Sequence, residues 1–159
     1  MEITATYRCF HFKKPSGTSR GVLTEKHAWF IEIIKGSIKG IGECSIIPGL
    51  SPEFESLNQY QKLIVQVVEH LKKIPWSEIS NLDELNNHLS PFIEAPSMVF
   101  GIETAFLDFI NGGRGVCFQN DFSKGLVSIP INGLIWMGEV NFIRSQAESL
   151  KERGFNCIK

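Results

Sequence analysis

Few side chains in this sequence have the type and setting to do chemistry, and each has a plain structural alternative. Arg20 stands near the end of a turn-rich run, residues 14–21 (Lys-Pro-Ser-Gly-Thr-Ser-Arg-Gly). A guanidinium on such a loop can fold over a site and hold a carboxylate in a bidentate pair, although most loops of this composition are solvated connectors. Glu103 lies in an apolar field with Met98, Ile102, Ala105, Phe106 and Phe109. A buried carboxylate needs a partner, so the expected role is tying its helix to a neighbouring backbone rather than acid catalysis. Gly112-Gly113-Arg114-Gly115 resembles a phosphate-cradling loop only on the surface, because it ends a helix, where the dipole repels anions. Cys9, Cys44, Cys117 and Cys157 form no Cys-x-x-Cys pair, and His11, His27, His70 and His88 are scattered. Reduced, packed thiols follow, with neither a zinc site nor a Cys-His nucleophile. Lys159, read alone, is an exposed terminal lysine.

The elements that must position these residues are organised around residues 38–53, Ile-Lys-Gly-Ile-Gly-Glu-Cys-Ser-Ile-Ile-Pro-Gly-Leu-Ser-Pro-Glu. Gly40 and Gly42 alternate with Ile41 and Glu43 at strand period, which predicts a sheet face where the backbone lies close to another element. Pro48-Gly49 is a turn signal, and Ser51-Pro52-Glu53 supplies a cap, a first-turn proline and an acid, predicting a helix from Ser51. Ile46, Ile47 and Leu50 on a loop pinned at both ends should be covered by protein or by a ligand. A buried connection is the simpler of the two.

The remaining pattern is read in chain order. Residues 3–13 and 22–34 alternate as strands, with Trp29, Ile31 and Ile33 on one face, and together with the opening stretch they predict a three-stranded antiparallel meander. Apolar positions from Leu57 to Ile74 fall at helical spacing and Pro75 marks the stop. Residues 82–89, capped by Asn81 or Ser80, and residues 97–111 are two further helices. Residues 127–136 read as an apolar strand, 138–153 as a helix with Val140, Ile143, Ala147 and Leu150 inward, and 154–159 as the start of another strand. That order is a βαβ unit whose two parallel strands need further members to be stable.

Composition excludes several classes. The 159 residues are 43% hydrophobic, enough for one sizeable core or one domain and part of a second. Sixteen basic residues against seventeen acidic ones give a formal charge of -1 without a basic cluster, so a nucleic-acid partner is not expected. No apolar run approaches the roughly 20 residues of a membrane span, and a cytoplasmic protein is the default expectation.

A three-stranded antiparallel sheet with helices, followed by the start of a β/α series, resembles the enolase superfamily, in which a capping domain precedes a β/α barrel. Residues 42–53 look like the capping-domain loop of o-succinylbenzoate synthases, and residues 23–29 (Leu-Thr-Glu-Lys-His-Ala-Trp) like the strand before it. Residues 96–108 (Pro-Ser-Met-Val-Phe-Gly-Ile-Glu-Thr-Ala-Phe-Leu-Asp) are similar to the helix leading into the barrel, and residues 131–136 (Ile-Asn-Gly-Leu-Ile-Trp) to its first strand. The resemblance implies a fold made of an α+β capping domain, residues 1–113, a connecting loop, 114–126, and the first β/α/β elements of a truncated (β/α)8 barrel, 127–159.

The same resemblance implies a magnesium-dependent lyase of menaquinone biosynthesis, which dehydrates a succinyl-hydroxy-cyclohexadiene carboxylate to o-succinylbenzoate through an enediolate. Residues 154–159 (Gly-Phe-Asn-Cys-Ile-Lys) match the approach to the family's Lys-x-Lys pair. Lys159 would be its first lysine, lowering the pKa of a proton-abstracting lysine two residues later. That second lysine and the carboxylate metal ligands lie beyond this stretch, so this chain alone is expected to be inactive and to need the remaining barrel as a partner. The exposed barrel edge offers a surface for self-association. Gly17, Thr18, Ser19 and Arg20, a loop expected to be poorly ordered without its partner surface, and Ile47, Pro48, Gly49 and Leu50 are implied to sit over a small carboxylate substrate. Muconate cycloisomerases and dipeptide epimerases share the pattern, and a non-catalytic α+β binding module is the alternative of another class.

Overall fold

The computed structural model describes residues 1–18 and 21–159. Among them are three strands, β1 (Glu2–Thr18), β2 (Gly21–Lys35) and β3 (Ile38–Ile46), in one sheet of order β1-β2-β3. Four α-helices follow: α1 (Leu57–Leu71), α2 (Leu82–Leu89), α3 (Pro96–Ile110) and α4 (Val140–Glu152). The residues fall into two compact units, Met1–Phe10 with Lys26–Gln119, and His11–Glu25 with Asn120–Lys159. The expected α+β architecture, a three-stranded meander with helices, is present.

In the first unit, β2 and β3 pair antiparallel with Phe30 opposite Glu43 and Ile33 opposite Gly40. Trp29, Ile31 and Ile33 are buried on one face, as their alternation requires. They meet Tyr60, Ile64, Val67 and Leu71 of α1 and Met98, Ile102 and Phe106 of α3 in one apolar core. Tyr7, Trp29 and Tyr60 stack in series with ring centroids 4.9 and 4.7 Å apart. The Trp29 indole donates to Gln61 at 2.6 Å, so its one polar atom is paired.

The glycines of β3 do what their spacing predicts. A Cβ built on Gly42 would lie 1.7 Å from the Gly101 carbonyl oxygen, and one on Gly40 would lie 2.1 Å from the Ala105 carbonyl oxygen. Gly101 answers from α3, where a Cβ would meet the Cys44 sulfur at 2.4 Å. Strand and helix therefore touch backbone to backbone. Burial beside this contact pushes the Cys44 thiol up to about 12, which keeps it protonated and inert. Of the four cysteines expected to be packed, Cys157 is instead exposed.

Three boundaries differ from the sequence reading. α1 begins at Leu57, not Ser51, and Ser56 is its cap, with the side-chain oxygen accepting from the Gln59 N–H. Ser51 is used elsewhere, since its hydroxyl accepts from the Ile47 N–H at 3.0 Å. Glu53 accepts from the Ser97 N–H at 2.9 Å and from its hydroxyl, so the acid serves the first turn of α3, which has no side-chain cap of its own. At the other end α1 stops at Leu71, before Pro75. β1 runs on through Lys14, Pro15 and Ser16, where the composition suggested a loop.

The carboxylate that ties α3 to its surroundings is Asp108, not Glu103. Asp108 is buried and accepts from the Ile41 N–H at 3.1 Å and the Gly115 N–H at 2.7 Å. Glu103 is half-exposed and accepts from the Asn86 amide of α2 at 2.8 Å. Gly112 and Gly113 close α3 with positive φ of 89 and 66°, the Gly113 N–H returning to the Asp108 carbonyl.

In the second unit the expected strand over 127–136 reduces to a single parallel bridge, Gly133 with Ile158. Residues 127–132 are exposed, Ile131 to 72%. A parallel strand is held only by neighbours on both sides, and these residues have none among those described. Of the inward positions expected on α4, Leu150 is buried against Gly133, whereas Val140 and Ile143 are exposed.

Two outcomes test this packing. Gly42→Ala should cost about 3 kcal/mol in urea unfolding because backbone must move, while Gly36→Ala, which meets open space, should cost only about 1 kcal/mol for its positive φ. In native protein a thiol reagent should label Cys157 within minutes and reach Cys44 only after unfolding.

Candidate functional site

The second unit holds a cavity of about 440 Å³, within the size range of small-ligand pockets. Its apolar wall is Phe12 from β1 with Trp136, Met137 and Phe142, and its cations are Lys13 and Lys14. The end of β1, Pro15 to Gly17, completes the rim. Among the described residues no carboxylate lines it, and its charged side chains are Lys13 and Lys14.

Trp136, Phe142 and Met137 each have a defined contact. The Gln146 side chain, one turn and more into α4, accepts from the Trp136 N–H at 3.0 Å and donates to the Trp136 carbonyl at 3.1 Å. A side-chain amide here supplies both hydrogen bonds that a neighbouring strand would otherwise make. Phe142 folds back over Gly138, where a Cβ would lie 2.7 Å from the ring. Gly17 lies against Met137, its Cβ position 4.0 Å from the Met137 Cβ and carbonyl oxygen.

Lys159 sits close by along the ladder. Its N–H donates to the Gly133 carbonyl at 2.8 Å and its carbonyl accepts from the Ile135 N–H at 2.9 Å, one residue before Trp136. The Gly133 N–H in turn donates to the Cys157 carbonyl at 2.8 Å. Residues 157–159 are thus paired in parallel with residues 133–135, and Lys159 is exposed.

The other sequence-derived positions are distributed as follows. Gly17 is on the cavity rim and Thr18 ends β1, while Ser19 and Arg20 lie outside the described residues, so the expected loose order of this loop does too. Ile47, Pro48, Gly49 and Leu50 belong to the first unit. There the Leu50 and Ser51 N–H groups both donate to the Ile47 carbonyl at 3.0 Å, and Gly49 takes a positive φ of 76°. Ile46 is buried, but Leu50 is 51% exposed, so the protein does not supply the cover expected for that loop. Lys13, Lys14, Met137, Phe142 and Gln146 were not singled out by sequence reasoning. The two lysines were visible as a cationic pair entering a turn, whereas nothing local marks Gln146 as a backbone clamp.

No family model matches the chain. Over the whole of its length it is 34% identical to o-succinylbenzoate synthase of Desulfotalea psychrophila, of which it spans 48%. The crystal structure of MenC from Desulfotalea psychrophila matches 99% of the chain with a TM-score of 0.65 and 28% identity, again over 48% of that protein. The chain carries the enolase-superfamily fold. A further superfamily structure, o-succinylbenzoate synthase from Thermosynechococcus elongatus complexed with magnesium in its active site, has the same TM-score of 0.65 at 16% identity and shows the fold alone. The chain thus spans about half the length of the enolase-superfamily relatives it matches. The resemblance read from residues 42–53, 96–108 and 131–136 holds along the chain.

Gln146→Ala should free both backbone groups of Trp136 at a local cost of about 1–2 kcal/mol. The expected reading is faster hydrogen exchange at the Trp136 amide with no change at the core amides of α1.

Proposed function

We propose that this chain forms the capping domain (1–113), connecting loop (114–126) and first strand, helix and second strand (127–159) of a magnesium-dependent o-succinylbenzoate synthase. The single observation that supports this reading best is the 34% identity along the entire chain. The proposed reaction removes a proton beside a carboxylate and expels a hydroxyl group as water, turning a cyclohexadiene carboxylate into an aromatic ring. Such a step develops negative charge on the carboxylate, and cations placed there lower the barrier.

Magnesium takes several hard oxygen ligands, and the described residues contain no cluster of three carboxylates. The residues beside Lys159 in the ladder, Gly133, Ile135 and Cys157, offer backbone and thiol groups. The metal therefore does not fit the residues present, and no step is assigned to it here. What this chain contributes is binding, orientation and exclusion of water. Lys159 is proposed as the first lysine of the family's pair, acting on its neighbour by charge. Gly17, Thr18, Ser19 and Arg20, with Ile47, Pro48, Gly49 and Leu50, are proposed to contact substrate and set specificity. The setting would be cytoplasmic metabolism.

The test is a chimera in which this chain is continued by the part of the Desulfotalea psychrophila relative that follows the matched half. With magnesium the chimera should form o-succinylbenzoate, EDTA should abolish turnover, and the chain alone should form none. Turnover by the chain alone, or a folded chimera with no dehydratase activity, would overturn the assignment.

A further inference from the structure

The cavity wall combines two features, an apolar surface and a cationic rim, whose joint effect is selective. Phe12, Trp136, Met137 and Phe142 offer ring faces and a thioether, which suit a flat apolar body. Lys13 and Lys14 both line the cavity and are exposed, and among the described residues neither is paired with an acid. Consecutive residues of an extended strand point to opposite sides, yet both Lys13 and Lys14 border the cavity, and their long stems let either head group reach it. An ammonium on a four-carbon stem is a mobile point charge, able to follow a carboxylate at the end of a flexible tail.

We propose that Lys13 and Lys14 form a carboxylate subsite in this cavity, fixing the acidic tail of a ring-bearing dicarboxylate whose ring lies against Trp136 and Phe142. The two lysines are positioning and specificity residues that hold the end of the ligand remote from the reacting carbons. Binding energy gathered on a remote group orients the reacting part of a substrate. The choice of ligand rests on the proposed dehydratase reading, but the subsite itself does not.

The experiment titrates the intact chain with 2-succinylbenzoate and, separately, with its uncharged dimethyl ester, following Trp136 by two-dimensional NMR. The dicarboxylate should bind saturably, weaken with added salt and outbind the ester at least ~10-fold. The double variant Lys13→Met, Lys14→Met should lose ~10-fold in affinity and bring the two ligands level, while Lys13→Arg with Lys14→Arg should stay within ~3-fold of the parent by keeping the charge. Both lysines are exposed, so the core is undisturbed, and an unchanged spectrum for α1 and α3 checks this. Equal binding of acid and ester, undiminished binding by the double Met variant, or no saturation at millimolar ligand would overturn the subsite. In an active chimera the same double variant should lower kcat/KM ~10-fold, and an unchanged kcat/KM would count against the remote role. If the chimera is inactive while the charge-dependent binding persists, the reaction assignment fails and the subsite stands.

Discussion

The first unit depends on a backbone-to-backbone contact between β3 and α3, made possible because Gly40, Gly42 and Gly101 carry no side chain. At such distances a single methyl group has nowhere to go, so the apolar residues around the contact are brought within packing range of one another. Ile33, Cys44 and Ile46 from the sheet then join Met98, Ile102 and Phe106 from the helix in one buried cluster. Asp108 finishes the arrangement electrically. Its buried carboxylate takes the Ile41 N–H and the Gly115 N–H, so the same stripe of α3 that presents Gly101 and Ala105 also anchors the strand and the loop beyond the helix. A buried acid with two backbone donors is satisfied, and removing it would leave those donors unpaired.

The second unit is built on a different principle. Its parallel pairing is confined to residues 133–135 and 157–159, and side-chain contacts do the rest. Gln146 stands in for a strand at Trp136, Leu150 packs on Gly133, and Phe142 lies over Gly138. These contacts shape the cavity wall without a complete sheet. What this unit presents is a cavity with a partly exposed apolar wall and Lys13 and Lys14 at its rim.

Much of the fold could be read from residue patterns, because period and punctuation are local. The alternation of Trp29, Ile31 and Ile33, the cap at Asn81 and the glycine pair after α3 each specify their own neighbourhood. The glycines of β3 announced a close approach, though not what approached. Failures came where a polar group acts at long range. Ser51 and Glu53 formed a plausible local cap, but one hydroxyl closes the preceding turn and the carboxylate serves α3, 44 residues away. Glu103 drew attention by its apolar company, while Asp108, five residues on, was the buried partner. The strand expected over 127–136 had the right composition but, among the described residues, finds a pairing partner only at 133–135. The cavity was not legible: Gly17 was expected only on a loop over substrate, and the lysines beside it and the clamp on Trp136 emerge only when β1 and α4 are seen together.

Native-state hydrogen exchange at the Ile41 amide tests the central claim most directly, because that N–H is donated to Asp108 inside the β3–α3 seam. The account predicts that Ile41 opens only with global unfolding, at the same free energy as the core amides of α1, while the Lys159 amide exchanges earlier and independently. Exchange of Ile41 at the rate of a surface loop would show that the seam is not what holds the first unit together.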